Sequence, residues 1–300
     1  MRDDTGRNDP DAVLHQEPAG IDALLPDQIA RKAELGGAEK ARMPLISLLT
    51  LSILAGAFVG FGALFAMGVS IGADSAPEGF SAVLGGLAFS LALVLVIVGG
   101  AELFTSNNLM VMAVVGRRIT PWELIRAWIV IYLGNLLGAV ATGVMAVLAA
   151  VSIAHENAIG AKATAMAAGM ADLDIVQTFF AGLLGNVLVC LAVWISYSGR
   201  TTTDRILAVT FPITAFYVLG LEHVIATMFY FPFAYVHALG EGAAVGVMSF
   251  PAPNGNLLGP VDFLAHLGPV TLGNIVGGGV LVGVVYWFIY RSDTGAAVDK

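Results

Sequence analysis

Six long apolar stretches constrain the fold of this chain more than any other feature, because each is long enough to cross a lipid bilayer. A crossing helix needs about 20 apolar residues. Hydrophobic residues make up 57% of the chain and charged residues 12%, which is too little charge to cover a soluble domain. The sequence therefore predicts an all-α integral membrane protein, with spans at residues 45–71, 82–114, 123–153, 175–197, 206–235 and 263–290.

Positive residues are distributed unevenly between the loops. The first, third and fifth loops contain only Lys162, whereas the N-terminal segment and the even loops hold most of the arginine and lysine. By the positive-inside rule, both termini are cytoplasmic in a multi-pass protein of the inner membrane. The expected segments are a disordered acidic tail (1–23), a cytoplasmic amphipathic helix (24–44), a six-helix transmembrane domain (45–291) and a cytoplasmic C-terminal tail (292–300).

The amphipathic helix has two possible roles. It can anchor to the membrane surface, with Arg31, Lys32 and Lys40 near the lipid headgroups, or it can dock onto the mouth of the transmembrane domain. The single cysteine, Cys190, lies inside an apolar stretch, so an intrachain disulfide is impossible. Neither feature identifies a ligand.

Polar residues interrupt the second and fifth spans. Glu102 lies in the run VGGAELFTSNN (98–108), and Glu222 lies in the run LGLEHVIAT (219–227). Buried charge and unsatisfied backbone are costly in hydrocarbon, so broken helices persist where they face protein interior or a water-accessible path. Matching breaks in two halves predict a transport site near the middle of the membrane.

The two halves of the chain also echo each other. Gly-Ala-Glu at 100–102 matches Gly-Leu-Glu at 220–222, and LGNLLG at 133–138 matches LGNIVG at 272–277. Each segment matches one that lies three spans further along the chain. Because three is an odd number of crossings, the second half enters the membrane in the opposite orientation. We therefore expect an inverted repeat of three helices plus three helices, with helices 2 and 5 broken.

Several motifs together resemble the formate/nitrite transporter family, over about residues 24 to 291. They are GAELFTS (100–106), GN (134–135), LLGNVLVCLAVW (183–194), SYSGR (196–200), LEHVIATMF (221–229) and PVTLGNIVGGG (269–279). The resemblance implies an aquaporin-like fold and a homopentamer with one pore in each protomer. It also implies passage of small monovalent anions or their conjugate acids, in the class of formate, nitrite and hydrosulfide.

The resemblance further implies roles for individual residues. His223 would be the central pore histidine, with Thr105 as its hydroxyl partner, and Asn186 and Asn274 would be polar residues near the pore. Phe89 and Phe216 would form the outer apolar constriction, and Leu93, Leu103 and Val189 the inner one. Glu102 and Glu222 would hold the broken helices by accepting hydrogen bonds, although a role as carriers of transported protons is open.

One position departs from the family pattern. The lysine that many members carry in the outer vestibule should fall near Met170, where this sequence has no cation, and the nearest one is Lys162. An aquaporin-like pore for neutral small solutes is therefore the alternative function.

Apolar constrictions favour a neutral permeant, because an unpaired carboxylate in such a site loses its hydration. His223 can exchange a proton with the permeant acid, or it can stay neutral and orient the acid together with Thr105. An intramembrane metalloenzyme using His223 and Glu222 would need further ligands that the sequence does not place nearby. We expect no enzyme activity, cofactor, metal or nucleic-acid partner.

Overall fold

The computed structural model describes residues 23–72, 77, 79–241, 249–251 and 255–292. The predicted N-terminal tail, apart from residue 23, and the predicted C-terminal tail, apart from residue 292, lie outside these ranges. The helices are α1 (Pro26–Ala41), α2 (Leu45–Ser70), α3 (Phe80–Phe89), α4 (Leu91–Gly99), α5 (Val111–Val115), α6 (Pro121–Leu148), α7 (Ala158–Ala171), α8 (Ile175–Ser198), α9 (Thr202–Val218), α10 (Val224–Gly240), α11 (Pro260–Asn274) and α12 (Val285–Arg291). A 3₁₀ turn (Ser106–Met110) precedes α5, a π-helical stretch (Ile275–Val284) joins α11 to α12, and the short strands β1 (Phe250–Pro251) and β2 (Leu257–Leu258) pair antiparallel.

Five helices of the described ranges are long and apolar enough to cross a membrane: Leu45–Ser70, Phe80–Gly99, Pro121–Leu148, Ile175–Ser198 and Pro260–Arg291. The fifth predicted span is built from the shorter helices α9 and α10. We call the face that carries both ends of the described chain the terminal side, and the face that carries α7 and the β1–β2 hairpin the loop side. Helix α7, within the third loop, was not predicted from the sequence.

Polar caps and glycines fix where the spanning helices begin and break. Thr120, Asp174 and Thr201 accept hydrogen bonds from backbone N–H groups in the first turns of α6, α8 and α9. At the two breaks, Gly100 and Gly220 have φ of 78° and 61°, a left-handed conformation that favours glycine and ends the preceding helix. The breaks therefore follow directly from the local sequence.

The inverted repeat is visible in how the helices pack. Helix α2 packs along α6 in the first half, and α8 packs along α11 in the second. Both pairs approach so closely that a Cβ on Gly138 would collide with the carbonyl of Ile53, and one on Gly273 with the carbonyl of Phe179. Small residues thus let the helix backbones approach closely. The all-α architecture with helices 2 and 5 broken is confirmed.

Helix α1 docks against the terminal side of the membrane domain. The buried carboxylate of Glu34 accepts hydrogen bonds from Arg118 Nε at 2.8 Å and from Arg291 Nε at 2.9 Å. Because Arg118 follows the second span and Arg291 ends the sixth, this carboxylate joins α1 to both halves of the repeat. Lys40 does not point toward lipid headgroups, since its ammonium reaches the first helix break.

Candidate functional site

The two helix breaks meet at one buried polar contact. Thr105 Oγ1, from the first break, lies 2.8 Å from His223 Nε2, from the second. Thr105 is fully buried and His223 is 4% exposed. The structure thus brings together the pair that the sequence resemblance implied.

The hydrogen bonds of His223 define its tautomer. His223 caps α10, where its Nδ1 accepts a hydrogen bond from the backbone N–H of Ala226 at 3.3 Å. In a neutral imidazole one nitrogen accepts and the other carries the proton. The proton of neutral His223 is therefore on Nε2, which donates to Thr105 Oγ1.

Each break is braced by an asparagine from the last helix of its own half. In the second half, Asn274 Oδ1 accepts from Val224 N at 3.0 Å, and its Nδ2 donates to Gly182 O at 2.7 Å and to Glu222 O at 3.2 Å. The amide of Asn274 is thus used by backbone groups of the break and of α8. Its place near the pore stays a prediction, and its contacts are those of a structural brace.

Asn135 performs the same bracing in the first half. Its Oδ1 accepts from Phe104 N at 2.8 Å, and its Nδ2 donates to Ser52 O at 2.7 Å and to Glu102 O at 2.9 Å. Asn135 was not among the predicted site residues, although the repeated Leu-Gly-Asn motif contained the signal. By this correspondence, His223 occupies the position that Leu103 occupies in the first break.

Asn186 links the first break to the last span. Its Nδ2 donates to Thr105 O at 3.2 Å, to Asn108 Oδ1 at 2.9 Å and to Asn274 O at 2.7 Å. Because it is fully buried, this amide holds the backbone behind Thr105 rather than lining the cavity described next. Asn186 therefore positions the hydroxyl that meets His223.

A cavity of about 560 Å³, which we call the outer vestibule, leads from the loop side to His223. Phe89 and Phe216 line it, with their rings stacked at a centroid distance of 6.1 Å and an interplanar angle of 17°. Phe216 also meets the ring of His223 edge-on at 6.1 Å. The predicted outer constriction residues thus lie together beside the central histidine.

The outer vestibule contains a cation after all. Lys162 and Met170 lie on the same face of α7, and both line the vestibule. Position 170 carries no cation, as the sequence shows, but α7 places Lys162 two helical turns away on the same wall. A count of residues along the chain could not reveal this, since it did not identify α7 as a helix.

The predicted inner constriction is less defined. Leu93, Leu103 and Val189 are 3%, 2% and 2% exposed and belong to the main buried cluster. Their burial is compatible with a constriction between the breaks and the terminal side. Their role in a constriction stays a prediction.

Both helix-break carboxylates have a charged or titratable partner. Glu102 Oε2 lies 2.9 Å from Lys40 Nζ of α1 and accepts a hydrogen bond from Asn107 Nδ2 at 2.8 Å. Glu222 Oε2 lies 3.3 Å from His266 Nε2 of α11. These partners come from opposite sides of the membrane domain, as the inverted repeat requires.

His266, near the start of the last span, is buried, with its side chain only 2% exposed. Within the described part of the chain, no group of three or more His, Cys, Asp or Glu side chains could hold a metal ion. The site therefore offers hydrogen bonds, one vestibule cation and apolar surfaces to a permeant molecule.

A vestibule lined by stacked aromatic rings and by the histidine of a buried polar contact between two helix breaks is typical of a membrane channel or carrier for small solutes. Residues 27–288 match the family model described as formate/nitrite transporter. The chain belongs to the formate/nitrite transporter family.

Individual similar proteins agree with this assignment. The formate channel FocA of Escherichia coli K12 is 36% identical over 272 residues, covering 90% of this chain and 95% of that protein. A solved structure described as a pentameric formate channel with formate bound is 38% identical, with a TM-score of 0.71 over 82% of this chain and 97% of that one. A second, described as an FNT family ion channel, is 25% identical, with a TM-score of 0.75 over 87% and 98%.

Proposed function

We propose that this chain is a channel for formate or a similarly small monovalent weak acid, in the class that includes nitrite and hydrosulfide. The observation that carries the proposal is the 2.8 Å contact between His223 Nε2 and Thr105 Oγ1 at the foot of the outer vestibule. This contact offers polar groups to a small solute between two apolar regions. The similar proteins described as formate channels support the same class of permeant.

The apolar rings at the constriction select the charge of the permeant. Phe89 and Phe216 offer no hydrogen bonds, and a bare carboxylate that passes them pays a desolvation penalty of at least several kcal/mol. Protonating a carboxylic acid with a pKa near 3.9 at pH 7 costs only about 4 kcal/mol. The neutral acid is therefore the species that passes the rings.

His223 acts as a hydrogen-bond donor in this account. Its Nδ1 accepts from Ala226 N–H, so a second ring proton would face a backbone N–H and break the cap of α10. The permeant acid consequently takes its proton from water in the outer vestibule, and His223 orients it through Nε2–H. This favours the orienting role over the proton relay.

Lys162 favours a weak acid over an uncharged solute. A cation on the wall of a partly enclosed cavity raises the local concentration of anions and so supplies the constriction with substrate. The neutral-solute alternative rested on the lack of a cation near Met170, and Lys162 lines the same vestibule. We therefore retain the acid as the permeant class.

We propose further that the protein is a homopentamer with one pore per protomer, and that the terminal side faces the cytoplasm. The pentameric assembly is that of the similar formate channel. The orientation follows from the positive residues, since Lys162 is the cation of the odd-numbered loops. Native mass spectrometry of the purified protein checks the first proposal, and labelling of single cysteines at positions 42 and 162 in intact cells checks the second.

Flux into proteoliposomes tests the function. We expect fast uptake of formate, nitrite or hydrosulfide and no uptake of glycerol above the rate of empty vesicles. Uptake of glycerol without uptake of any weak acid would refute the proposal.

Two variants separate the possible roles of His223. His223→Asn keeps a side-chain cap for Ala226 N–H and a donor, but it cannot titrate near neutral pH. We expect His223→Asn to retain the wild-type pH dependence, whereas His223→Phe loses the donor and most of the flux. Loss of the pH dependence in His223→Asn would instead support the proton relay.

A further inference from the structure

Glu222 lies where a carboxylate should hinder the entry of an anion. It lines the outer vestibule together with Lys162 and His223, and its side chain is 8% exposed. An uncompensated negative charge on this wall would offset the attraction that Lys162 exerts on an incoming anion. The group that balances Glu222 therefore affects entry into the pore.

That group is His266. Its Nε2 lies 3.3 Å from Glu222 Oε2, and His266 is not among the residues that line the outer vestibule. Its ring also stacks on Phe231, with centroids 6.2 Å apart. An imidazole ordinarily changes charge between pH 5 and pH 8, so it can balance a carboxylate at one pH and leave it unbalanced at another.

The imidazole also borders a second cavity. This cavity of about 430 Å³, the side cavity, opens on the loop side and is lined by Asp174, Asp262 and His266. Among the described residues, His266 Nδ1 has no hydrogen-bond partner. The nitrogen that does not face Glu222 is buried and can carry a proton without breaking a described hydrogen bond.

The pairing of a break carboxylate with a histidine is found at the second helix break and not at the first. There the equivalent carboxylate, Glu102, is paired with Lys40, an ammonium that stays charged throughout the physiological range. The inverted repeat thus places a permanent cation at the break facing the terminal side and a titratable one at the break facing the loop side.

We propose that His266 sets the charge of the outer vestibule through Glu222. When His266 is protonated, it cancels the charge of Glu222 and leaves Lys162 to attract the anion. When His266 is neutral, Glu222 cancels Lys162 and anion entry weakens. His266 is a positioning and charge-setting residue, since it acts through Glu222, and this inference rests on the proposed function.

The other titratable groups around this pair are accounted for. Asp262 lies on the same helix and accepts a hydrogen bond from Gly259 N, and Asp174 accepts one from Gln177 N. Both carboxylates line the side cavity together with His266. From α10, Tyr230 lines the vestibule with a phenol that is neutral at these pH values. From α7, the residue that lines the side cavity is the uncharged Ala171, and the charged residue that lines the vestibule is Lys162.

The test is the KM for formate entering proteoliposomes from the loop side, measured at outer pH values between 5 and 8. Comparison of each variant with wild type at the same pH cancels the change in formate ionisation. At pH 5.5 we expect the KM of His266→Gln to be about fivefold higher than that of wild type, and at pH 8 to equal it, as expected for one unit charge across a partly solvated cavity. His266→Lys should equal wild type at pH 5.5 and have an approximately fivefold lower KM at pH 8, with kcat within about twofold throughout.

A ratio of variant to wild-type KM that does not change with pH would overturn the proposal. If one variant fails to fold, the other still tests the ratio. Comparison of the folded variant with wild type also assigns the His266 signal in ¹³C-histidine NMR. A His266 signal of the wild-type protein that does not titrate between pH 5 and 8 would overturn the proposal as well. A wild type that carries none of formate, nitrite and hydrosulfide refutes the proposed function, and a wild type that carries one of them with a constant KM ratio refutes this inference alone.

Discussion

The ion pair between Lys40 and Glu102 should couple helix α1 energetically to the first helix break. Its atoms are 2.9 Å apart, and the two side chains are 28% and 8% exposed. At an effective dielectric constant of 20 the attraction is about 6 kcal/mol, from which the desolvation of both groups must be subtracted. We therefore expect a net coupling energy of about 2 to 4 kcal/mol.

A double-mutant cycle with Lys40→Met and Glu102→Gln measures this coupling. Lys40→Met should cost about 3 kcal/mol, because it leaves the buried carboxylate of Glu102 without its cation and with the hydrogen bond from Asn107 Nδ2. Adding Glu102→Gln should recover most of that loss, so the double variant should be more stable than the two single effects predict. Reversible unfolding in mixed micelles provides the free energies, and Glu39→Gln, at an exposed position of α1, is the control.

The coupling should also depend on pH in a defined way. Burial tends to lower the pKa of Lys40, but the Glu102 carboxylate and Tyr197 outweigh it and raise the pKa above its usual value of 10.5. A raised lysine pKa contributes stability that is complete below the unfolded value and is lost as pH rises through the folded one. The coupling should thus be constant from pH 6 to 9, and additive single effects, with a coupling below about 0.5 kcal/mol, would refute this account.

Three further predictions follow from the described contacts. Asn274→Leu and Asn135→Leu should each destabilise the protein by about 3 kcal/mol or more in the same unfolding assay, since each strands buried backbone groups at a break; wild-type stability in either would contradict the bracing role. Gly56→Ala should lower the thermal unfolding temperature because its Cβ would collide with the Asn135 carbonyl, whereas Gly68→Ala, with no atom within 4 Å of the added Cβ, should not. Lys162→Met should raise the KM for formate about fivefold at unchanged thermal stability, and an unchanged KM would remove the lysine from the entry pathway.

The sequence predicted the architecture because the determining signals are local or repeated. Polar runs containing glycine and glutamate specified both breaks, and the repeated Leu-Gly-Asn motif specified the inverted repeat. The His223–Thr105 pair was predicted through family resemblance rather than from spacing, since the two residues lie on different spans.

The partners of the two carboxylates could not be predicted in the same way. Lys40 and His266 reach Glu102 and Glu222 from elements that are distant in the chain, and neither belongs to a motif that marks such a contact. The position of Lys162 in the outer vestibule was not predicted for a different reason, because only a helical α7 places this lysine on the same face as Met170. Side-chain contacts between separate helices depend on packing geometry, which hydrophobic periodicity does not specify.

The most direct test of the central claim is the charge carried with each formate. Proteoliposomes loaded with a pH-sensitive dye, with the membrane potential clamped by potassium and valinomycin, report proton entry and formate entry together. We predict one proton per formate, no current, and a flux that is insensitive to the clamped potential. A current of one negative charge per formate, with a flux that follows the potential, would contradict passage as the neutral acid.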